Sequence, residues 1–287
     1  MVFGSALSLL PGSTPEGSEK EMKAAVAQIT CTPGNREANF ESIIAFAEKA
    51  SSSRCDIIVF PELVDTGYDM DVIGHSALEW SGPLFGRLQK AARRRRIAII
   101  CGLSQREPKA TYNAVAVIDE NGALAATYRK THLFSAGDFD EKRYFTPGDS
   151  LTIVPFGQMH LGIMICYDLR FPELGRFLVL RGANALVVCA AWPQSRAYHW
   201  KTLLAARAIE NQAYVIAANR VGKDNDLAFC GESCILDPRG LAVVQGSPDK
   251  QELLIADIEE STIRSVRGFM PALKTRRTDL YRLEDAC

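Results

Sequence analysis

The spacing of apolar positions changes several times along the chain, and each change marks an element. Residues 23–29, KAAVAQI, are an apolar run, and Thr32-Pro33-Gly34-Asn35 behind them is a turn cluster, so a first strand and a loop are expected. In residues 36–50 the side chains Phe40, Ile43, Ile44, Phe46 and Ala47 recur at helical spacing. CDIIVFPE then returns to a short buried strand. The β-α-β order recurs. A helix near 83–95 ends in ARRRR before IAIICGL, another near 172–181 precedes NALVVCAA, and AYHWKTLLAARAIENQ leads into AYVIAAN. Between them lie two hairpin patterns, YNAVAVID–ENG–ALAATYRK and ESCILDPRGLAVVQG, with their turns visible in sequence. Strands joined by both helices and hairpins predict an α/β fold with mixed sheets, and so many buried strands predict two sheets face to face with helices outside. No repeat of 20 to 50 residues is visible.

Composition narrows the class. With 287 residues, 47% hydrophobic and 23% charged, the chain can bury a large core. The ordered domain is expected over 22–287. The opening MVFGSALSLLPGSTPEGSEK lacks the basic start and long apolar middle of a secretory signal, so residues 1–21 read as a flexible extension. A formal charge of -1 provides no bulk field to draw the protein to nucleic acid or an anionic membrane. No apolar run approaches the roughly 20 residues that span a bilayer. The arginines at 93–96 fit better as cations in a helix's last turn than as a nucleic-acid patch. Eight scattered cysteines without a CxxC pair suit reduced thiols in the cytoplasm. Cys230 and Cys234 have no histidine at zinc-ligand spacing, so no metal site is expected at that pair.

Three segments share one form: an apolar run that ends in a reactive residue and then breaks. DIIVFPEL carries Glu62, ALAATYRKTHLF carries Lys130, and LGIMICYDLRFPEL carries Cys166. Strand ends that open into loops present functional groups on a rigid scaffold. Taken singly, Cys166 also reads as a buried core thiol, Glu62 as a loop charge and Lys130 as a solvated strand end. Together they are complementary. A thiol attacks as its thiolate and needs a base or a nearby cation. Glu62 can be the base and Lys130 the stabiliser of an oxyanion, with the backbone N–H of Tyr167 as second donor.

FPEL, YRKTHLF and ICYDLRFPEL, in this order, resemble the Glu-Lys-Cys set of the carbon-nitrogen hydrolase (nitrilase) superfamily. TPGDS at 146–150, AAWP at 190–193 and HWKTLLAARAIENQAYVIAANRVG from His199 extend the resemblance over about 23–281. The resemblance implies a four-layer α-β-β-α sandwich with two mixed β-sheets, a homodimer or higher oligomer, and no metal or organic cofactor. It makes Glu62 the general base, Lys130 the oxyanion stabiliser, Cys166 the nucleophile and Glu141 a second acid that orients the lysine. The chain is most similar to the omega-amidase-like branch, which implies a small carboxylate-bearing amide such as 2-oxoglutaramate or 2-oxosuccinamate, a thioester intermediate and release of ammonia. Arg170 is a candidate for the substrate carboxylate, or else a structural partner of Asp168 and Glu173. Trp192 and Tyr68 either wall the pocket or are core aromatics. An N-carbamoyl amine or amino-acid hydrolase uses the same three residues, and a non-catalytic interaction protein could keep the fold; both remain open at this point.

Overall fold

Every position of the ALVVCA run at 185–190 is apolar because its strand is covered on both faces. The computed structural model describes residues 21–137 and 139–281. The extension expected over 1–21 lies outside them except for Glu21, as do Asp138 and the last six residues. In chain order the strands are β1 (Met22–Gln28), β2 (Ile57–Val59), β3 (Ala98–Glu107), β4 (Ala110–Ile118) and β5 (Leu124–Arg129), then the short β6 (Ser135–Ala136) and β7 (Phe139–Asp140). There follow β8 (Ile153–Phe156), β9 (Met159–Ile165), β10 (Ala185–Ala190), β11 (Tyr214–Asn219), the short β12 (Lys223–Asp224) and β13 (Leu227–Ala228), β14 (Cys234–Leu236), β15 (Ala242–Gln245) and β16 (Glu252–Ile258). The α-helices are α1 (Arg36–Ser52), α2 (Met70–Ser76), α3 (Pro83–Arg95), α4 (Pro172–Leu180), α5 (Ala197–Asn211) and α6 (Glu260–Phe269).

Two sheets of six strands are formed, β16-β1-β2-β3-β4-β5 and β15-β14-β11-β10-β9-β8. Each has the same sequence of pairings. In the first, β1, β2 and β3 are parallel while β16, β4 and β5 join antiparallel. In the second, β9, β10 and β11 are parallel while β8, β14 and β15 join antiparallel. The two halves thus repeat one topology, although no sequence repeat is visible, because a pairing pattern needs only the period-2 burial of its strands.

Alternation along the central strands separates three cores. Ile57 and Val59 of β2, with Ala185, Val187 and Cys189 of β10, fill the space between the sheets. Ile58 faces Phe40, Ile43, Phe85 and Leu88 of α1 and α3. Leu186 and Val188 face Leu178, Trp200 and Leu204 of α4 and α5. The order of layers is therefore α-β-β-α, as the resemblance implies. Helix starts follow local chemistry: Asn35 Oδ1 accepts from Ala38 N at the head of α1, and Pro83 and Pro172 are the first residues of α3 and α4. The arginine run closes α3, and Arg95 pairs with Glu48. Helix α2 is only seven residues long, and of α6 only Ile263 is fully covered. Among the described residues no helix is long and apolar enough to cross a membrane.

The loop after β2 is tied to β3 by Asp65. Its carboxylate accepts from Ser104 N at 2.9 Å and from the Ser104 hydroxyl. Burial pushes its pKa up to about 6, against those hydrogen bonds. A carboxyl group whose pKa is higher folded than unfolded favours the folded state when protonated, so that stabilisation fades as pH rises from about 4 to about 6. Asp65→Asn removes this titration. The variant should lose less stability than the parent between pH 5 and pH 7.5, by roughly 1 to 3 kcal/mol, in urea melts at the two pH values.

Candidate active site

Strands β2, β3 and β5 run in one direction, since β2 is parallel to β3 and β4 is antiparallel to both β3 and β5. Their carboxyl ends therefore lie along one edge of the first sheet. Glu62 follows β2 there and Lys130 follows β5. Glycine lets other backbone approach both. A Cβ on Gly102 of β3 would stand 2.4 Å from Pro61 O and 2.6 Å from Glu62 Cα, and one on Gly148 would stand 2.2 Å from Arg129 O. Gly148 belongs to the TPGDS motif, and its N–H donates to Lys130 O at 2.9 Å.

Lys130 Nζ donates to Glu62 Oε1 at 2.8 Å and to Glu141 Oε1 at 3.0 Å. All three side chains are fully buried. Burial works against the lysine charge, but Glu141, Glu62 and Cys166 outweigh it and hold Lys130 well above the usual lysine range. The carboxylates are otherwise satisfied by donors. Glu62 Oε1 accepts from Asn113 Nδ2 at 2.7 Å and Oε2 from Ala191 N at 2.9 Å. Tyr68 Oη donates to Glu141 Oε1 at 2.6 Å, and Phe134 N donates to Oε2 at 2.8 Å. Burial raises the Glu141 pKa, with Lys130 opposing and Glu62 adding to the rise. Ala191 lies just past β10, so Glu62 ties the first sheet to the second.

Cys166 is the first residue past β9 and opens a 3-10 turn through Arg170, at a backbone φ of +42°. A non-glycine residue there is strained by about 1–2 kcal/mol. Asp168 holds the turn. Its buried carboxylate accepts from Ile165 N at 2.9 Å and Tyr128 Oη at 2.8 Å, and from Thr131 Oγ1 at 3.2 Å and His132 N at 3.1 Å. His132 Nδ1 lies 2.8 Å away. Those partners flank Lys130, so one carboxylate joins the cysteine turn to the lysine segment. The thiol itself is half-buried at the base of a cavity. Burial pushes its pKa well above the ordinary range and the neighbouring Glu62 carboxylate pushes further, with Lys130 opposing. Burial and Glu62 thus both favour the thiol form. Tyr167 N sits in the first turn of the 3-10 helix, where leading N–H groups have no intrahelical acceptor.

A cavity of about 630 Å³ opens over Cys166, and Tyr68, Tyr167, Arg170 and Trp192 all line it. Arg170 is not paired with Asp168 or Glu173. It lies over Trp192, Cζ 4.8 Å from the ring centroid, with Nη2 3.3 Å from His199 Nδ1. Tyr68 is a wall residue whose hydroxyl is committed to Glu141. The sequence reading missed Asn113, the Asp168 carboxylate, Phe134 and Arg196. Only Asn113 carries a signal, as a polar residue at the head of the apolar run AVAVI. Among the described residues no group of three or more His, Cys, Asp or Glu side chains is placed to hold a metal ion.

The family model for carbon-nitrogen hydrolases matches residues 23–268. The chain belongs to the carbon-nitrogen hydrolase family. It is 35% identical over 262 residues to a 2-oxoglutaramate amidase of Bacillus subtilis, covering 88% of this chain and 97% of the relative. It is 32% identical over 247 residues to a deaminated glutathione amidase of Escherichia coli O157:H7, covering 84% and 92%. Among solved structures, a mutant amidase from Nesterenkonia sp. AN1, shown with the acetamide moiety of fluoroacetamide added covalently at its active site cysteine, superposes with a TM-score of 0.81. That pair shares 28% identity and covers 94% of this chain and 98% of the other. The fold and the enzyme class expected from the motifs therefore stand: this hydrolase acts on carbon-nitrogen bonds of amides.

Replacing Asp168 by Asn points an amide donor at groups that themselves donate. Asp168→Asn should lower kcat about 100-fold by misplacing Cys166 and destabilise the fold by about 1–3 kcal/mol. Steady-state ammonia release and a thermal melt on the same preparation measure both.

Proposed function

We propose that the protein hydrolyses the amide of a small carboxylate-bearing acyl group, omega-amidase-like, through a thioester on Cys166. The observation that carries the reading is the Glu62 carboxylate, held by Lys130 and Ala191 N beside a cysteine whose burial favours the thiol form. A thiol held neutral cannot rely on a preformed thiolate, so the base must act as the sulfur attacks.

As Sγ bonds to the amide carbon, Glu62 takes its proton and the carbonyl oxygen becomes an oxyanion. Lys130 Nζ and Tyr167 N stabilise that charge more than the ground-state carbonyl, which lowers the barrier. Glu62 then passes the proton to the departing nitrogen, ammonia leaves and the thioester remains. Water attacks the thioester as Glu62 takes one of its protons. The second tetrahedral species collapses to the free acid, and the sulfur recovers its proton. Glu141 keeps Lys130 charged and aimed, and Tyr68 in turn aims Glu141. Arg170, presented on Trp192, takes the substrate carboxylate. The 2-oxoglutaramate amidase of Bacillus subtilis, similar over most of both chains, supports this substrate class.

Cys166→Ala should lower turnover about 10³-fold or more while the thermal midpoint stays close to that of the parent. Glu62→Gln should cost at least about 10²-fold in kcat. A screen of 2-oxoglutaramate, 2-oxosuccinamate, glutamine, asparagine and N-carbamoyl amino acids, read as ammonia and carbon dioxide, should give ammonia alone with the 2-oxo acid amides preferred. Carbon dioxide release would mark an N-carbamoyl hydrolase instead, and undiminished activity in Cys166→Ala would remove the thioester route.

A further inference from the structure

Arg170 does not face the cavity alone. Arg196 ends the 3-10 turn Gln194–Arg196 between β10 and α5 and lines the same cavity. Its guanidinium lies over Phe134, Cζ 5.2 Å from the ring centroid. Trp192 links the two arginines. The indole ring carries the Arg170 guanidinium, and its Nε1 donates to Arg196 O at 2.8 Å. One side chain therefore contacts the guanidinium of Arg170 and the backbone of Arg196. Burial lowers the Arg170 pKa and the Arg196 charge lowers it further, so the cations feel each other.

Neither arginine forms an ion pair with a carboxylate among the described residues, while three of the four acids that line the same cavity, all but Asp71, have partners of their own. Asp69 caps α2 and accepts from Asn225 Nδ2 at 3.1 Å. Asp224 is paired with Arg220 and accepts from Tyr68 N at 2.8 Å. Asp226 lies 3.5 Å from Lys223. The cavity is thus lined by two cations without a carboxylate partner and by acids most of which are already engaged. Two adjacent cations repel each other, and an anion between them relieves that repulsion while meeting two planar donor forks. The acids that line the cavity oppose a second anion, which favours one shared carboxylate over two separate ones.

We propose that Arg196 is a specificity-determining residue, the second arm of a clamp in which Arg170 and Arg196 grip a single substrate carboxylate. The inference rests on the carboxylate-bearing amide of the proposed function and goes further by naming a second residue that selects it. Substrates that lack the carboxylate lose both arms, so selection for the anionic amide is steeper than one arginine would provide.

Succinamate and butanamide, which differ by a carboxylate against a methyl group, test this in steady-state kinetics with the parent, Arg170→Gln, Arg196→Gln and Arg196→Lys. The parent should favour succinamate in kcat/KM. Arg196→Gln should lower the succinamate-to-butanamide ratio of kcat/KM about tenfold or more, mostly through KM for succinamate, and Arg196→Lys should recover part of the loss. An unchanged ratio in Arg196→Gln, with the ratio reduced in Arg170→Gln, would overturn the second arm and leave the substrate class standing. Equal losses on both amides would overturn it as well, since they mark a loosened pocket. No preference for succinamate in the parent would overturn the carboxylate reading and the clamp together.

Discussion

A lysine ammonium clamped between two carboxylates, all three buried, is the arrangement on which the rest of the site depends. Such a cluster is expensive to desolvate, and removing one member leaves an uncompensated charge that costs about 3–5 kcal/mol. Its surroundings reflect that constraint. Asn113, Ala191 N, Tyr68 and Phe134 N each supply a hydrogen bond to a carboxylate oxygen. Two glycines remove the side chains that would keep other backbone away. The donors come from both sheets and from the loop before Glu141, so the charge cluster also serves as a joint between those parts.

The same cluster decides the state of the sulfur. Lys130 alone would favour a thiolate, but its charge is already shared by two carboxylates, and Glu62 lies on the cysteine side. What the lysine retains is a fixed dipole aimed at the place where negative charge develops. In the proposed mechanism this separates the roles: the carboxylate moves the proton, and the ammonium meets the oxyanion. The strained backbone at Cys166 is maintained by Asp168, whose other partners flank Lys130, so nucleophile and cation share one support.

Much of this was legible in the chain. The sheets and the helices α1, α3, α4 and α5 follow from periodicity, because strands buried on both faces and helices leave unlike patterns. Glu62, Lys130 and Cys166 could be found because each stands where an apolar run stops. Glu141 needed the resemblance, since DFDEKR alone looks like a solvated acidic loop. Asp168 was visible only as a neighbour of Arg170. Its function depends on Tyr128, Thr131 and His132, about 40 residues earlier, and no local pattern encodes a contact at that range. Arg196 was hidden for the same reason, since its relation to Arg170 runs through Trp192. The doubled topology left no trace in sequence because each half keeps only the burial pattern, with different residues in each strand.

That doubling has a geometric consequence. Strands β2 and β10 hold equivalent places in the two halves, and the residues just past them, Glu62 and Ala191 N, meet across the interface. The nucleophile stands past the neighbouring strand of the second half. The path from Glu62 to the Cys166 sulfur therefore crosses the layer between the sheets. Ala24, Ala98, Ala185, Ala218 and Ala256 lie in that layer. Small side chains remote from any substrate thus act as spacers, and the core is the gauge that sets the reach of a proton.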